Sequence, residues 1–212
     1  ESLSETPIGR LRVSASVTVG QNWLAQYLPE FTRRYPGIQV DLRLANRRVD
    51  LIEEGFDVVL RVGSSPDSNL IGKYLCSTEL RLYASPDYLK QSDTVLSTPD
   101  DLAKHSCLFM SAVTERTQWE FRKGEETTLV EFEPTLSADD FYVLEQFALD
   151  GLGIVQLPDY MGDRHVAGGR LIRVLPEWKG RTVEIHALVR SSRGVTPKIR
   201  AFLDFISDAC RR

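Results

Sequence analysis

The chain has 212 residues, of which 42% are hydrophobic and 26% charged, and its formal net charge is −4. This length suits one large α/β domain or two small lobes of roughly 100 residues each. The charge argues against a DNA-binding module, because such a module carries an excess of basic residues that displaces counterions from phosphates. No apolar run approaches the roughly 20 residues that a membrane span needs. The polar, acidic residues 1–9 lack the pattern of a signal peptide, and we interpret them as a linker remnant.

The first forty residues change from a strand pattern to a helix pattern. Residues 11–16 alternate apolar with small or polar side chains, which predicts a strand, and a turn is expected at residues 18–20. Apolar residues then recur at helical spacing over residues 24–35. Pro29 is expected to kink or restart this helix, and residues 36–37 (PG) end it.

The following segment continues the alternation of strand and helix. Residues 38–44 and 58–62 predict two further strands, the second of them buried. Between them, residues 49–54 predict a short helix that Gly55 closes. This order of elements favours an α/β fold with a parallel sheet and right-handed crossovers.

The second half of the chain has several signals for the starts and ends of elements. A strand at residues 79–84 ends at Ser85-Pro86, which predicts a capped helix with proline in its first turn, and residues 98–101 (TPDD) carry a second signal of this kind. Residues 117–133 predict a hairpin that turns at Lys123-Gly124. The elements predicted after it are a helix at 139–150 with Gly151 as its cap, strands at 154–157 and 185–189, and a helix that starts at Thr196-Pro197.

That last helix carries an apolar stripe, which consists of Ile199, Phe202, Leu203 and Ile206. An apolar stripe has to be buried against another element. We expect the helix to dock on the first lobe.

The residue patterns of common catalytic and metal sites are absent from the sequence. It has no Gly-x-Ser-x-Gly elbow, Walker loop or His-Glu-x-x-His motif, and the three histidines share no metal-ligand spacing. Residues 151–153 (GLG) follow a helix and precede a strand, which indicates a turn and not a dinucleotide site. We therefore expect no catalytic residue, no metal and no cofactor.

The cysteines are three in number, Cys76, Cys107 and Cys210, and they lie far apart in the sequence. An odd number at wide spacing predicts free thiols in a reducing compartment, so we expect a cytoplasmic protein. Thiol-based sensing by Cys76 and Cys107 is the alternative to buried, inert cysteine.

Six short segments together resemble the effector-binding domain of LysR-type transcription regulators. They are residues 9–13 (GRLRV), 28–38 (LPEF and RYPGI), 49–57 (VDLIEEGFD), 60–63 (LRVG), 151–154 (GLGI) and 157–160 (LPDY). The resemblance runs from Gly9 to about Ser207. It implies a type 2 periplasmic-binding-protein fold, with two Rossmann-like lobes joined by two crossover strands near Ala84 and Ala187.

The resemblance also implies an organisation for the chain and for its parent protein. Lobe I is expected to hold residues 10–84 and 187–212, and lobe II residues 85–186, with residues 1–9 as the linker remnant. In the family, a winged helix-turn-helix precedes this domain and binds promoter DNA, so we expect a longer parent protein that acts as a homodimer or tetramer. A solute-binding protein of a transport system with the same fold is the alternative.

In this family a small-molecule effector lies between the lobes, at the first β–α turn of each. In lobe I the matching residues are Ser16, Val17, Thr18 and Val19, where a helix N-terminus suits a carboxylate. The alternative is that Ser16 and Thr18 only cap the helix. Arg61 and Val62 match the floor of the site, where Arg61 could bind an acidic effector, Asp57 or a neighbouring loop.

In lobe II the resemblance places Phe109, Met110 and Ser111 at the corresponding turn. The aromatic ring and the thioether could contact an apolar ligand, and packing in the core is the alternative. Asp139 and Asp140 match a ligand-contacting turn, although acidic residues also favour a helix N-terminus. Ile154, with Val155, is expected to line the far wall. We expect the effector to carry a carboxylate.

Overall fold

The computed structural model describes residues 6–47, 49–63, 70–112, 116–190 and 195–211. The chain forms two compact units: unit 1 comprises Glu1–Ser77 and Val183–Arg212, and unit 2 comprises Thr78–Thr182. The predicted α/β class is confirmed, since both units combine strands with helices.

The described residues form eleven strands and six α-helices. The strands are β1 (Gly9–Ala15), β2 (Ile38–Leu44), β3 (Val58–Val62), β4 (Ile71–Ala84), β5 (Cys107–Met110), β6 (Gln118–Lys123), β7 (Glu126–Glu131), β8 (Leu136–Ala138), β9 (Ile154–Pro158), β10 (Ile172–Val174) and β11 (Thr182–Val189). The helices are α1 (Val17–Asn22), α2 (Leu28–Arg34), α3 (Pro86–Gln91), α4 (Phe141–Leu149), α5 (Asp159–Ala167) and α6 (Pro197–Ala209). Two 3₁₀ helices cover Leu24–Gln26 and Pro99–Lys104.

The sheet of unit 1 has the parallel core that the order of elements predicts. β1 lies between β2 and β3 and is parallel to both, with Leu11 opposite Val40 and Val13 opposite Val58. β11 pairs with β3 in the antiparallel direction. Four side chains of these strands are completely buried: Leu11, Val13, Val58 and Leu60. Such burial is typical of parallel strands, because other elements cover the faces of a parallel sheet.

Helix α6 packs against α2 within unit 1, as its apolar stripe predicts. The ring of Phe31 on α2 lies 5.4 Å from that of Phe202 and 5.3 Å from that of Phe205, measured between ring centroids. The ring of Tyr35 lies 5.0 Å from Phe31 on the other side. Phe31 and Phe202 are completely buried, so these rings form the centre of the helical layer.

The turn that we expected at residues 18–20 is wrong, because these residues lie inside helix α1. A Cβ atom on Gly20 would lie 2.1 Å from Cδ2 of Leu44 on β2, so a side chain at residue 20 would require the exposed end of Leu44 to move. The helix ends at Asn22, and a new one begins at Leu28 with Pro29 in its first turn. Pro29 therefore restarts the helical path, which was one of the two alternatives.

The short helix expected at residues 49–54 is also wrong, because residues 51–55 form turns. Oδ1 of Asp50 accepts hydrogen bonds from the N–H groups of Ile52 and Glu53. Gly55 follows with a φ of +69°, which ends the turn as expected. Asp50 thus closes a local turn, and the chain then enters β3 instead of continuing as a helix.

The boundaries between the units lie at Ser77/Thr78 and Thr182/Val183, whereas the expected boundaries were 84/85 and 186/187. The difference arises because β4 begins at Ile71 and has 14 residues. Its second half pairs with β9 and β10, both of which belong to unit 2. The chain therefore enters unit 2 in the middle of a strand and not at the start of the next helix.

Unit 2 has a second sheet. In it, β9 is antiparallel to β4 and parallel to β5, and β5 is in turn parallel to β8.

The predicted hairpin is formed by β6 and β7. Trp119 and Phe121 of this hairpin pack into a buried cluster with Phe109 and Phe132. The predicted N-cap is also present, because Oγ of Ser85 accepts a hydrogen bond from the N–H of Tyr88.

Helix α5 was not predicted, and its packing depends on one glycine. A Cβ atom on Gly162 would lie 2.2–2.5 Å from ring atoms of Tyr83 on β4. The Tyr83 ring is completely buried, and its hydroxyl donates a hydrogen bond of 2.8 Å to Oδ1 of Asp163. The helix can therefore lie against the sheet only because residue 162 has no side chain.

Candidate ligand-binding site

In unit 1, Ser16 occupies the N-cap position of α1 but does not cap the helix. Its backbone is extended, with a φ of −62° and a ψ of 151°, and its side chain makes no capping hydrogen bond. The Oγ atom is buried, and it has no hydrogen-bond partner among the described residues. A buried hydroxyl without a partner is unfavourable, so this atom is available to a ligand.

The other residues predicted at this turn have structural roles. The N–H of Val17 donates to Oδ1 of Asn46 at 3.1 Å, which already satisfies one of the exposed donors of the helix N-terminus. The carbonyl of Thr18 accepts from Nδ2 of Asn22 at 3.3 Å. Val19 is completely buried and belongs to the core. Among the four residues, Ser16 is the one whose side chain most clearly needs a partner.

The side chain of Arg61 binds the neighbouring loop, which was one of its three expected roles. Nη1 donates to the carbonyl of Arg47 at 3.2 Å and Nη2 to that of Val49 at 3.4 Å. Asp57 is instead bound by Lys198, with an Nζ–Oδ2 distance of 3.0 Å. Val62, the next predicted residue, is 48% exposed. The guanidinium group thus fixes the connection between β2 and β3.

Unit 2 contains a cavity of about 150 Å³ at the carboxyl end of β5. Its apolar wall consists of Leu80, Phe109, Met110, Trp119, Leu129 and Phe141, and its polar lining consists of Gln118, Glu120, Gln156 and Arg181. The carboxyl end of a parallel strand is the usual place for ligand binding in an α/β sheet. A cavity of this size suits a single six-membered ring, since an engineered apolar cavity of about 150 Å³ binds benzene.

The polar side chains that line the cavity differ in whether the protein supplies them with hydrogen-bond or ion-pair partners. Nε2 of Gln156 on β9 is buried and has no hydrogen-bond partner among the described residues. Glu120 is bound by Arg122, with an Nη2–Oε1 distance of 2.8 Å, so its charge is partly compensated. Arg181 adds a positive charge to the lining. The cavity therefore offers an amide donor and a cation beside an apolar wall.

The residues predicted in lobe II differ in where the structure places them. Phe109 and Met110 line the cavity, although Phe109 also packs in the core. Ser111 is exposed, and its N–H donates to the carbonyl of Ala138 at 2.9 Å. Asp139 is exposed as well. Ile154 is completely buried in the core cluster, which gives its side chain a structural role in this conformation.

Asp140, next to Asp139, caps helix α4. Its Oδ1 accepts hydrogen bonds from the N–H groups of Tyr142 and Val143, at 2.9 and 3.2 Å. This is the alternative role that acidic residues have at a helix N-terminus. Val155, the neighbour of Ile154, is likewise completely buried.

Sequence reasoning missed Gln156 and Arg181. Gln156 faces Leu82 across the antiparallel pair of β4 and β9, and Arg181 lies opposite Leu80 just before β11. A signal for Gln156 was present, because it is a polar residue inside a strand whose neighbours are apolar. No comparable signal marks Arg181, which reaches the cavity only through the tertiary fold.

A buried ionic cluster joins α4 to α5 outside the cavity. Glu145 is 1% exposed, and both of its carboxylate oxygens accept from Nη2 of Arg164, at 2.8 and 2.9 Å. Nε2 of His165 lies 2.9 Å from Oε1 of Glu145, while Nδ1 of His165 faces Arg170. Because arginine can only donate, Nδ1 of His165 accepts from Arg170 and the ring is neutral, with its proton on Nε2. Nε2 faces Oε1 of Glu145 at 2.9 Å and also lies 3.3 Å from Nε of Arg164. Burial lowers the pKa of His165 below its ordinary value, against the opposing effect of Glu145.

We expect the free energy of unfolding to fall as the pH drops from 6.5 towards 5. The pKa of His165 and that of His105 are both lowered by burial. Well above pH 6.5, the ordinary pKa of histidine, both side chains are neutral in the folded and unfolded chains. As the pH falls through about 6.5, the unfolded chain binds protons that the folded chain resists. The loss is at most about 1.4 kcal/mol per pH unit for each histidine.

Urea unfolding at pH 5.2 and 7.5 measures this difference in stability. His165→Gln and His105→Gln should each reduce the difference between the two pH values, whatever their stability at pH 7.5. The carboxylates whose pKa is lowered, such as Asp101 with a pKa of about 2, lose their contribution only at more acidic pH. Equal stability of the unmodified chain at both pH values would contradict the prediction.

No helix among the described residues is both long enough and apolar enough to span a membrane. A search of the same residues finds no group of three or more His, Cys, Asp or Glu side chains that could hold a metal ion.

Comparison with known proteins gives consistent matches over almost the whole chain. The model of the LysR substrate binding domain family matches residues 4–211. An HTH-type transcriptional regulator from Xanthomonas campestris pv. campestris is 35% identical over 208 residues, which are 96% of this chain and 60% of that protein. The chain therefore spans about three fifths of the length of this curated relative.

Solved structures of similar proteins agree with this match. The regulatory domain of CrgA, a LysR-type transcriptional regulator from Neisseria meningitidis, superposes with a TM-score of 0.85 at 31% identity, covering 96% of this chain and 100% of that one. The full-length virulence activator AphB of Vibrio cholerae superposes with a TM-score of 0.82 at 26% identity, covering 95% of this chain and 69% of that one.

Proposed function

Because the chain belongs to the LysR substrate-binding domain family, we propose that it is the effector-sensing part of a transcription regulator that also has a DNA-binding helix-turn-helix. The regulator from Xanthomonas campestris is longer than the matched region, which covers 60% of it. The net charge of −4 makes this chain a poor partner for DNA by itself, so the promoter contacts belong to the other part.

The remaining properties of the parent protein follow from the same proposal. A regulator that binds promoter DNA works in the cytoplasm, and homodimers or tetramers match the symmetry of paired half-sites. The domain binds its effector without converting it. The named relatives are transcription regulators, which favours this function over solute binding for transport.

The observation that carries the ligand proposal is the unsatisfied amide nitrogen of Gln156 in the cavity of unit 2. A buried donor without a partner is disfavoured by about 1–3 kcal/mol, and a ligand acceptor placed beside it recovers that free energy. Arg181 contributes a positive charge to the same cavity, and Phe109, Met110 and Phe141 contribute apolar surface.

We propose a monocyclic aromatic carboxylate as the effector class. The ring fits the volume of about 150 Å³ and contacts Phe109 and Phe141, while the carboxylate accepts hydrogen bonds from Gln156 and Arg181. In unit 1, the buried Oγ of Ser16 has no partner among the described residues and is proposed as a separate ligand contact. Binding regulates only if the effector has unequal affinity for two states of the protein, typically by about 1–3 kcal/mol.

Thermal unfolding with and without ligand tests this proposal. The panel contains benzoate, hydroxybenzoates, phenylacetate, the neutral isostere benzamide, and a short keto acid. A ligand at one hundred times its dissociation constant adds about 2.7 kcal/mol, which raises the melting temperature by roughly 5–11 °C in a chain of this size. We expect this shift for an aromatic carboxylate and a smaller one for benzamide.

Three variants show whether the shift comes from the proposed contacts. Gln156→Met keeps the side-chain volume but removes the buried donor, so it should be at least as stable as the unmodified chain and lose most of the shift. Arg181→Ala should also lose it, whereas Lys123→Ala removes an exposed cation outside the cavity and should keep it.

Two outcomes would contradict the proposal. A shift that survives in both Gln156→Met and Arg181→Ala would place the ligand elsewhere. No shift with any aromatic carboxylate, together with a shift for the keto acid, would exclude the aromatic class while leaving the family unaffected.

A further inference from the structure

Two cysteines that are far apart in the sequence lie together in unit 1. Cys76 is in β4, and Cys210 follows the last residue of α6. The two side chains are joined by a hydrogen bond, and they line the same cavity of about 390 Å³. Neither forms a disulfide, and both are half-buried, so a small molecule in the cavity can reach them.

The hydrogen bond gives the two sulfur atoms different roles. It raises the pKa of Cys210, which therefore keeps its proton and donates it to the sulfur of Cys76. A thiol that receives such a bond is stabilised as a thiolate, and thiolates are the nucleophiles in thiol oxidation. Two cations, Lys73 and Arg211, also line the cavity, and nearby positive charge favours a thiolate over a thiol.

The third cysteine, Cys107, differs from this pair in its burial and lies in unit 2. Cys107 is completely buried in unit 2, and burial raises its pKa to about 12. A buried thiol that keeps its proton is inert towards oxidants, so Cys107 serves as an internal control.

We propose that Cys76 and Cys210 are a redox-active thiol pair that a hydroperoxide converts into a disulfide within unit 1. The Cys76 thiolate attacks one oxygen of the peroxide, the O–O bond breaks, and the departing alkoxide or hydroxide takes up a proton. Cys76 is then a sulfenic acid. The sulfur of Cys210 attacks it, the S–S bond forms, and the hydroxyl group leaves as water with the proton of Cys210.

The two steps together oxidise two thiols by two electrons and reduce one hydroperoxide to an alcohol and water, or to two waters from hydrogen peroxide. Two equivalents of a small thiol reverse the reaction by thiol–disulfide exchange. This proposal concerns unit 1 alone and does not depend on the identity of the effector.

The experiment treats the purified, fully reduced chain with hydrogen peroxide and follows three readouts. Titration of thiols in the denatured chain should fall from three to one, and mass spectrometry of peptides should find Cys76 linked to Cys210. The chain should stay monomeric on a non-reducing gel. The linkage closes a long loop, so the melting temperature should rise by roughly 5–15 °C and return after dithiothreitol.

Variants separate the roles of the three thiols. Cys107→Ser should lose two thiols like the unmodified chain. Cys210→Ser should stop at the sulfenic acid of Cys76, which dimedone traps, and Cys76→Ser should react with neither peroxide nor dimedone. The proposal is overturned if all three thiols survive excess peroxide, if the linked peptides contain Cys107, or if only disulfides between chains form.

Discussion

Phe31→Ala is expected to lower the free energy of unfolding by about 3–5 kcal/mol. The Phe31 side chain is completely buried, and its ring contacts the rings of Tyr35, Phe202 and Phe205 at centroid distances of 5.0–5.4 Å. Its removal leaves a cavity between α2 and α6 and also removes three aromatic contacts. Urea unfolding, followed by circular dichroism, measures the loss.

The adjacent residue provides a matched control for this prediction. Thr32 lies on the same helix and is exposed, so Thr32→Ala should change the stability by no more than about 0.5 kcal/mol. A loss below 1 kcal/mol for Phe31→Ala would show that α6 does not depend on this cluster for its position.

Gly162→Ala is expected to destabilise the chain by about 3 kcal/mol, although alanine favours a helix more than glycine does. The added Cβ atom would lie 2.2–2.5 Å from the ring of Tyr83, well inside van der Waals contact. The ring cannot move aside easily, because it is completely buried and its hydroxyl is bound to Asp163. Thermal and urea unfolding measure the effect.

Gly168→Ala is the control for this substitution, since a Cβ atom there has no neighbour closer than 3.8 Å and its φ is −90°. We expect this variant to be within about 0.5 kcal/mol of the unmodified chain. The double variant Gly162→Ala/Tyr83→Leu should recover part of the loss, because the clash then disappears. If Gly162→Ala is as stable as the control, α5 does not lie on Tyr83 as described.

Elements that depend on local sequence patterns could be predicted, whereas elements that depend on contacts between distant residues could not. Local patterns were sufficient for β1, β2 and β3, where alternation of side chains determines the strand. They failed at Gly20, where a glycine that looks like a turn lies inside helix α1 instead. They failed again at α5, where Gly162 weakens the helical signal but is required by Tyr83.

The residues of the candidate site also differ in whether they could be predicted from the sequence. The family resemblance pointed to the turn after β5, and Phe109 and Met110 line the cavity at that end of the strand. Gln156 and Arg181 reach it from other segments, through pairings that exist only in the folded chain. The contact of Cys76 with Cys210 also escapes sequence reasoning, because it depends on the docking of α6.

The division of unit 1 into two chain segments has a consequence for biosynthesis. Unit 2 is one continuous stretch, Thr78–Thr182, and can fold as soon as it has left the ribosome. Unit 1 must wait, because β11, one of the two partners of β3 in the sheet, and the helix that covers Phe31 are made after unit 2. During synthesis the N-terminal third of the chain therefore exposes an unpaired strand edge and apolar rings, and it is the part of the nascent protein that needs protection by chaperones.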